Sequence, residues 1–224
     1  MMIKTIHIVI LLLLSLSCKM KDEAIAPAKP VGPIRYLALG DSYTIGESVS
    51  SDQNFPAQLV DSLKAAGVNV SSYKIIAQTG WTTRNLKTAI DAADLKDTFN
   101  LVSLLIGVNN QYQGGSIDVY KTEFMELAER AIELAGGKKE NVFVVSIPDY
   151  GYTPFGQNNQ ANISKQIDEY NAINKRLSAG LGLKYCNITQ ISRRGLSEPD
   201  FVAGDGLHPS AKMYAQWVEI IMNR

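Results

Sequence analysis

Histidine is almost missing from this chain: among 224 residues it occurs twice, at His7 and His208. Cysteine is as scarce, with only Cys18 and Cys186. So few imidazoles and thiols exclude a zinc site built on His and Cys clusters, and neither a metal nor another cofactor is expected. Charge of one sign is lacking too, because 22 Lys and Arg face 22 Asp and Glu. A neutral surface offers no electrostatic footprint for nucleic acid, which is excluded as a partner. Long hydrophobic runs are also wanting: the stretch from Ile6 to Leu14 is too short to cross a bilayer as a permanent helix.

The opening MMIKTIHIVILLLLSLSC joins one lysine, that apolar stretch and small residues, the anatomy of a secretory signal. Cys18 directly after Leu-Ser-Leu-Ser resembles the lipobox of bacterial lipoproteins, although Ser15 stands three residues before it where leucine is usual. The resemblance implies that residues 1–17 are removed as a lipoprotein signal peptide. Cys18 then carries the lipid and holds the protein to a membrane of the cell envelope, the outer membrane of a Gram-negative bacterium. An ordinary signal peptide cleaved nearby is the alternative. The Lys-Asp-Glu that follows resembles surface-export signals of some lipoproteins, though a tether is commonly charged anyway. Residues 18–33 are polar and proline-bearing and read as a flexible tether, leaving 34–224 as one domain. With Cys18 lipidated, Cys186 has no disulfide partner and reads as a buried strand residue.

Through the body, apolar β-rich runs alternate with segments of helical period. IRYLALG from Ile34, YKIIAQ from Tyr73, LVSLLIG from Leu101, NVFVVSIPD from Asn141 and KYCNI from Lys184 predict five strands. Their near-continuous hydrophobicity suits strands covered on both faces of a parallel sheet. Phe124, Leu127, Ala131 and Leu134 form one helical stripe ending at Gly136-Gly137, and Ile163, Ile167, Tyr170 and Leu177 form another. A last helix turns Met213, Trp217 and Ile220 inward. The expectation is a three-layer α/β/α sandwich on a five-stranded parallel sheet, flavodoxin-like in strand order. In such sheets ligands bind beyond the carboxyl ends of the strands.

Four polar features fall at those ends. Ser42 follows Gly40-Asp41 at the turn into a helical segment, where its hydroxyl projects or merely caps the helix. Gly80 ends the second strand and either offers a backbone N–H to a ligand or only makes a turn. Asn109 follows Gly107 after the third strand, within reach of the same cleft, although asparagine is common in turns. Near the end, GDGLHPS places His208 before Pro209, which fits the first turn of the last helix. Asp205, three residues earlier across Gly206, is placed to hold one ring nitrogen protonated and leave the other as a base. A histidine that only caps the last helix is the plainer reading.

In order and position these blocks resemble the SGNH hydrolases of the GDSL esterase/lipase group: GDS with Ser42, the Gly80 block, GVNN with Asn109, and DGLH with Asp205 and His208. The resemblance spans about residues 36 to 210 and implies a serine hydrolase that cleaves carboxylic esters through an acyl-enzyme. It makes Ser42 the nucleophile, His208 the base, and Asp205 its orienting acid. Ser42, Gly80 and Asn109 supply the oxyanion hole, and no metal takes part. One position departs: Asn110 stands where such families usually have aspartate. The substrate is a small-molecule, glycan or lipid ester, with lysophospholipase-like activity, carbohydrate O-acetylesterase activity, or a non-catalytic surface binding lipoprotein as competing readings. A binding module has no need of Ser42, Asp205 and His208 together. Trp81, Tyr112, Tyr150, Tyr152 and Phe155 lie beyond strand ends and are candidates to shape the acyl or sugar pocket.

Overall fold

The computed structural model describes residues 32–223. The expected leader, the lipidation point Cys18 and most of the expected tether lie outside the described residues. Five strands, β1 (Ile34–Asp41), β2 (Val70–Gln78), β3 (Leu101–Leu105), β4 (Val142–Val145) and β5 (Lys184–Cys186), form one sheet in the order β2-β1-β3-β4-β5. Every pairing is parallel, as expected for the flavodoxin-like order. The connecting helices are α1 (Ser42–Ile45), α2 (Phe55–Ala65), α3 (Thr83–Ala92), α4 (Val108–Tyr112), α5 (Ile117–Leu134), α6 (Gln160–Leu181), α7 (Thr189–Ser192) and α8 (Ala211–Met222).

The strand order decides the layers. The step from β1 to β2 runs one way along the sheet and every later step runs the other, so right-handed crossovers put α2 on one face and α3, α5 and α6 on the opposite one. Packing agrees: α2 lies against α8, and α5 against both α3 and α6. β1, β3 and β4 are buried almost throughout. β2 departs from the expectation of two covered faces, with Ser71 to Lys74 exposed, because it is an edge strand. Cys186 is buried at the end of β5.

Two details of the last helix also differ from the sequence reading. Ile220 is 40% exposed while Ile221 is fully buried, because the inward face of α8 runs Met213, Tyr214, Trp217, Val218, Ile221. Pro209 is not in the first turn; Ser210 caps α8 by accepting from Met213 N, and Pro209 pairs with Val202 in an isolated bridge ahead of the cap. The Phe55, Tyr214 and Trp217 rings cluster between α2 and α8, with Tyr214 and Trp217 edge to face at 5.0 Å. Such a pair adds about 0.5–1.5 kcal/mol beyond its buried area.

Gly40 at the end of β1 and Gly107 just after β3 stand where the chain is crowded, at the sheet's switch point. A Cβ on Gly40 would lie 2.0 Å from Thr44 Oγ1 and 2.5 Å from the Leu105 carbonyl oxygen. One on Gly107, at φ +129°, would meet the Tyr120 hydroxyl at 2.6 Å. A side chain at Gly40 would collide with the backbone of β3, and one at Gly107 would collide with the Tyr120 and Ile147 side chains in a backbone geometry that favours glycine.

Candidate active site

β1 ends by turning directly into α1. Asp41 caps this short helix, its Oδ1 accepting from Tyr43 N at 3.1 Å, and Ser42 is the first helical residue, only 5% exposed. The turn is locked from behind, because Tyr214 of α8 donates its hydroxyl to the Tyr43 carbonyl at 3.0 Å. Among the described residues the Ser42 hydroxyl makes no hydrogen bond, and it opens onto a cavity.

His208 reaches that cavity from the other end of the chain. Its loop is closed by its own hydrogen bonds: Gly206 N to Ala203 O at 3.0 Å, Ala203 N to His208 O at 2.7 Å and Ser210 N to Phe201 O at 2.8 Å. Gly206 sits at φ +72°, the left-handed geometry this turn demands. Asp205 then folds back on the loop. Its Oδ1 accepts from Leu207 N and His208 N, and its Oδ2 lies 2.6 Å from His208 Nδ1. Ser48 donates to the same Oδ2 at 2.7 Å. Burial pushes the Asp205 carboxyl up, but the hydrogen bonds from the His208 ring, the two backbone N–H groups and Ser48 outweigh it and hold the group well below the usual carboxylate range. An ionised Asp205 fixes the proton on Nδ1 and leaves Nε2 able to accept one. The Tyr43 ring supports the imidazole, with centroids 5.3 Å apart.

The third side of the cavity comes from the ends of β2 and β3. Asn109, in α4, spends one amide hydrogen on the Trp81 carbonyl at 3.0 Å, which leaves the other available. Gly80 is exposed at φ +81°, with its carbonyl taken by Gln113 Nε2 at 3.1 Å. Asn110 is buried and points away, into α3. It accepts from Thr83 N at 3.0 Å and donates to Thr83 Oγ1 at 2.8 Å, and that hydroxyl in turn donates to Glu123 at 2.5 Å. The departure from aspartate has a physical reason: the Thr83 hydroxyl already gives its proton to a carboxylate, so its other neighbour must be a donor.

The cavity holds about 370 Å³ and is lined by Ser42, Gly80, Asn109 and His208 among mainly apolar walls. The structure thus gathers four of the five expected site residues on one cavity, with Asp205 behind His208. No hydrogen bond links Ser42 to His208; such contacts commonly tighten only when substrate binds. Of the aromatic candidates, Tyr112, Tyr150 and Phe155 line the cavity. Trp81 instead packs against the core, and the Tyr152 ring faces Arg193 at 6.0 Å. The sequence reading missed Tyr43 and Val108, whose adjacency to Ser42 and Asn109 was a usable signal. It also missed Ser48, which no spacing connects to Asp205.

A model of the GDSL-like lipase/acylhydrolase family matches residues 38–216. Among solved structures, the acetylxylan esterase Axe2 of Geobacillus stearothermophilus is similar with a TM-score of 0.66 at 19% identity, over 86% of this chain and 94% of that one. TesA is similar at 0.65 and 16% identity, over 84% and 96% of the two chains. The lipase/acylhydrolase of Enterococcus faecalis gives 0.64 at 21% identity, over 85% and 94%. At these identities the likeness is one of fold. No curated protein sequence matches the chain.

Proposed function

The chain belongs to the GDSL-like lipase/acylhydrolase family and is a carboxylic ester hydrolase, and from that premise we propose that Ser42, His208 and Asp205 carry out the hydrolysis of small uncharged acyl esters. The observation that carries this reading is one cavity shared by the unpartnered Ser42 hydroxyl and by a His208 ring whose Nδ1 sits 2.6 Å from Asp205. His208 Nε2 takes the proton of Ser42 as Oγ attacks the ester carbonyl, and Asp205 steadies the imidazolium. The tetrahedral oxyanion is held by the free Asn109 amide hydrogen and the backbone N–H groups of Gly80 and Ser42. His208 then protonates the departing alcohol. Water, deprotonated by the same ring, releases the acid from Ser42.

The walls argue about the substrate. None of the cavity-lining residues is Lys, Arg, Asp or Glu, so nothing in the lining pairs with the phosphate of a lysophospholipid. The acidic side chains just behind the lining, Asp205 against His208 and Glu47 against Thr79, offer an anion nothing to pair with. At about 370 Å³ the space is near the lower end of ligand pockets. A second reading, deacetylation of carbohydrate, is favoured by Tyr112 and Phe155, rings 58% and 52% exposed at the mouth where a sugar face stacks. An acetylxylan esterase is among the proteins of similar fold.

The mechanism is tested by treating residues 32–224 with a fluorophosphonate and locating the adduct by mass spectrometry. Ser42 is expected to carry it, and a different serine, or none in folded protein, overturns the assignment. p-Nitrophenyl esters of rising acyl length against acetylated xylo-oligosaccharides separate the two substrate readings. Lipidation at Cys18 would hold this hydrolase at the cell envelope; Cys18→Ser should then release it to the soluble fraction.

A further inference from the structure

Ser48 stands out on two independent counts. At φ +67° it is one of only two non-glycine residues with positive φ among the described residues. A non-glycine residue persists in that conformation when its surroundings over-determine it. Its hydroxyl also donates 2.7 Å to Asp205 Oδ2, the oxygen that faces His208 Nδ1, across 157 residues of sequence.

The segment that carries Ser48 begins at the proposed nucleophile. Ser42 O accepts from both Gly46 N and Glu47 N at 3.1 Å, so the chain leaving α1 is tied to Ser42 itself. Gly46 takes the left-handed C-cap geometry, and a Cβ there would lie 2.5 Å from the Asn54 Cβ. The Glu47 carboxylate is held by Thr79 on the next loop, and Asn54 Nδ2 donates to Ile45 O at 3.0 Å. Ser48 is therefore the last link of a short, braced path from Ser42 to Asp205. That path runs through no part of the core that joins β1 to α8.

We infer that Ser48 is a positioning residue: its hydroxyl sets the Asp205 carboxylate, and through it the His208 ring, relative to Ser42. The inference rests on the catalytic roles proposed above. Ser48 touches neither cavity nor imidazole; it acts by occupying the remaining lone pair of Oδ2, so that the carboxylate keeps the one orientation in which it faces Nδ1. Because the Asp205 side chain is 29% exposed, water partly replaces the lost donor and the effect is moderate rather than complete.

The backbone supplies the control. Ser48→Gly removes the hydroxyl while suiting φ +67°, so the fold keeps its melting temperature. Its kcat on p-nitrophenyl acetate should fall about tenfold with KM unchanged, and fluorophosphonate inactivation of Ser42 should slow by the same factor. Ser48→Asn, which tolerates the left-handed region and carries a donor, should recover part of both rates. A threonine would not serve, since a β-branched residue is strained at positive φ. Unchanged kcat and inactivation rate in Ser48→Gly overturn the inference, and so does a rate loss that Ser48→Asn does not relieve or that merely follows a fall in melting temperature. Failure of the wild-type protein to label at Ser42 is a different result, and strikes the catalytic assignment instead.

Discussion

The β1–α1 turn and the 203–210 loop each bring an aspartate to the site, and they hold it in opposite ways. Asp41 is fully buried; one oxygen accepts from Tyr43 N and the other has no partner among the described residues. Burial pushes its carboxyl up to about 7, against the weaker pull of the Tyr43 and Asp41 N–H groups. Asp205 is partly exposed and accepts four hydrogen bonds, which outweigh its burial and keep it ionised. Donors, more than depth alone, set these two charge states. The arrangement suits the proposed chemistry, since an anion must face the imidazolium, while Asp41, pushed up to about 7, is only partly charged near neutrality and opposes the forming oxyanion beside Ser42 less than a full anion would.

The comparison breaks most sharply at Asp205. Asp205→Asn keeps the size and most of the loop's hydrogen bonds but removes the charge and lets the ring adopt the wrong tautomer. We expect kcat on p-nitrophenyl acetate to fall on the order of 10⁴-fold. A loss under about tenfold in a folded variant would mean that the carboxylate only shapes the loop.

The two aspartates should also leave opposite marks on stability. An unfolded chain ionises Asp41 near 3.8, whereas the folded one keeps it protonated up to about 7. The fold therefore binds this proton more tightly, and stability falls as pH rises across that window. Asp205 behaves in reverse: its contribution is present above the ordinary carboxyl range and is lost as pH falls below it. Asp41→Asn resembles the neutral acid, so its melting temperature should fall less than the wild type's between pH 4 and pH 7, and above that window the difference should grow no further. Parallel curves for the two proteins across that range would show that Asp41 is already ionised.

Asn110 tests the same rule where the donor is an amide. Asn110→Asp would place a carboxylate against a Thr83 hydroxyl already committed to Glu123, with only the largely exposed Arg84 to offset the added charge. Loss of the donor should cost about 1–3 kcal/mol at neutral pH, read by thermal melting, with partial recovery on acidification as the new carboxyl protonates. Stability equal to wild type at pH 8 would show that the network rearranges.

These contrasts also mark where the sequence stops being informative. The strands and their order were legible because each is a short apolar run between helical stripes. That Ser42, Gly80, Asn109 and His208 meet at one cavity was legible because the first three follow strand ends and His208 lies in the loop ahead of the last helix. Exposure of β2 was not, since an edge strand and a central one differ in neighbours rather than in pattern. Ile220 was misplaced because seven and eight residues past Met213 both suit an apolar helical stripe, and packing centred that stripe on the side that buries Ile221. Ser48 was invisible for a stronger reason: its partner lies 157 residues away and its backbone angle is one that serine rarely adopts. Motifs expose residues that chemistry requires at fixed local spacing, whereas supports recruited across the fold leave no such trace.

The smallest expected effect comes from the mouth of the cavity, whose rings hydrogen-bond to neither aspartate. Tyr112 meets Tyr150 edge-on at 6.2 Å and Phe155 at 6.1 Å, but it is 58% exposed, so the fold gains little from it. In Tyr112→Ala the melting curve and kcat on p-nitrophenyl acetate should stay as in the wild type. If this wall receives the acyl chain, KM for hexanoyl and octanoyl esters should rise about three- to tenfold, the worth of one partly covered ring. If it receives a sugar, the rise should appear with acetylated xylo-oligosaccharides and not with acyl length. A fall in kcat for every ester alike would contradict both, because it would tie an exposed ring to the proton path proposed for Ser42, His208 and Asp205.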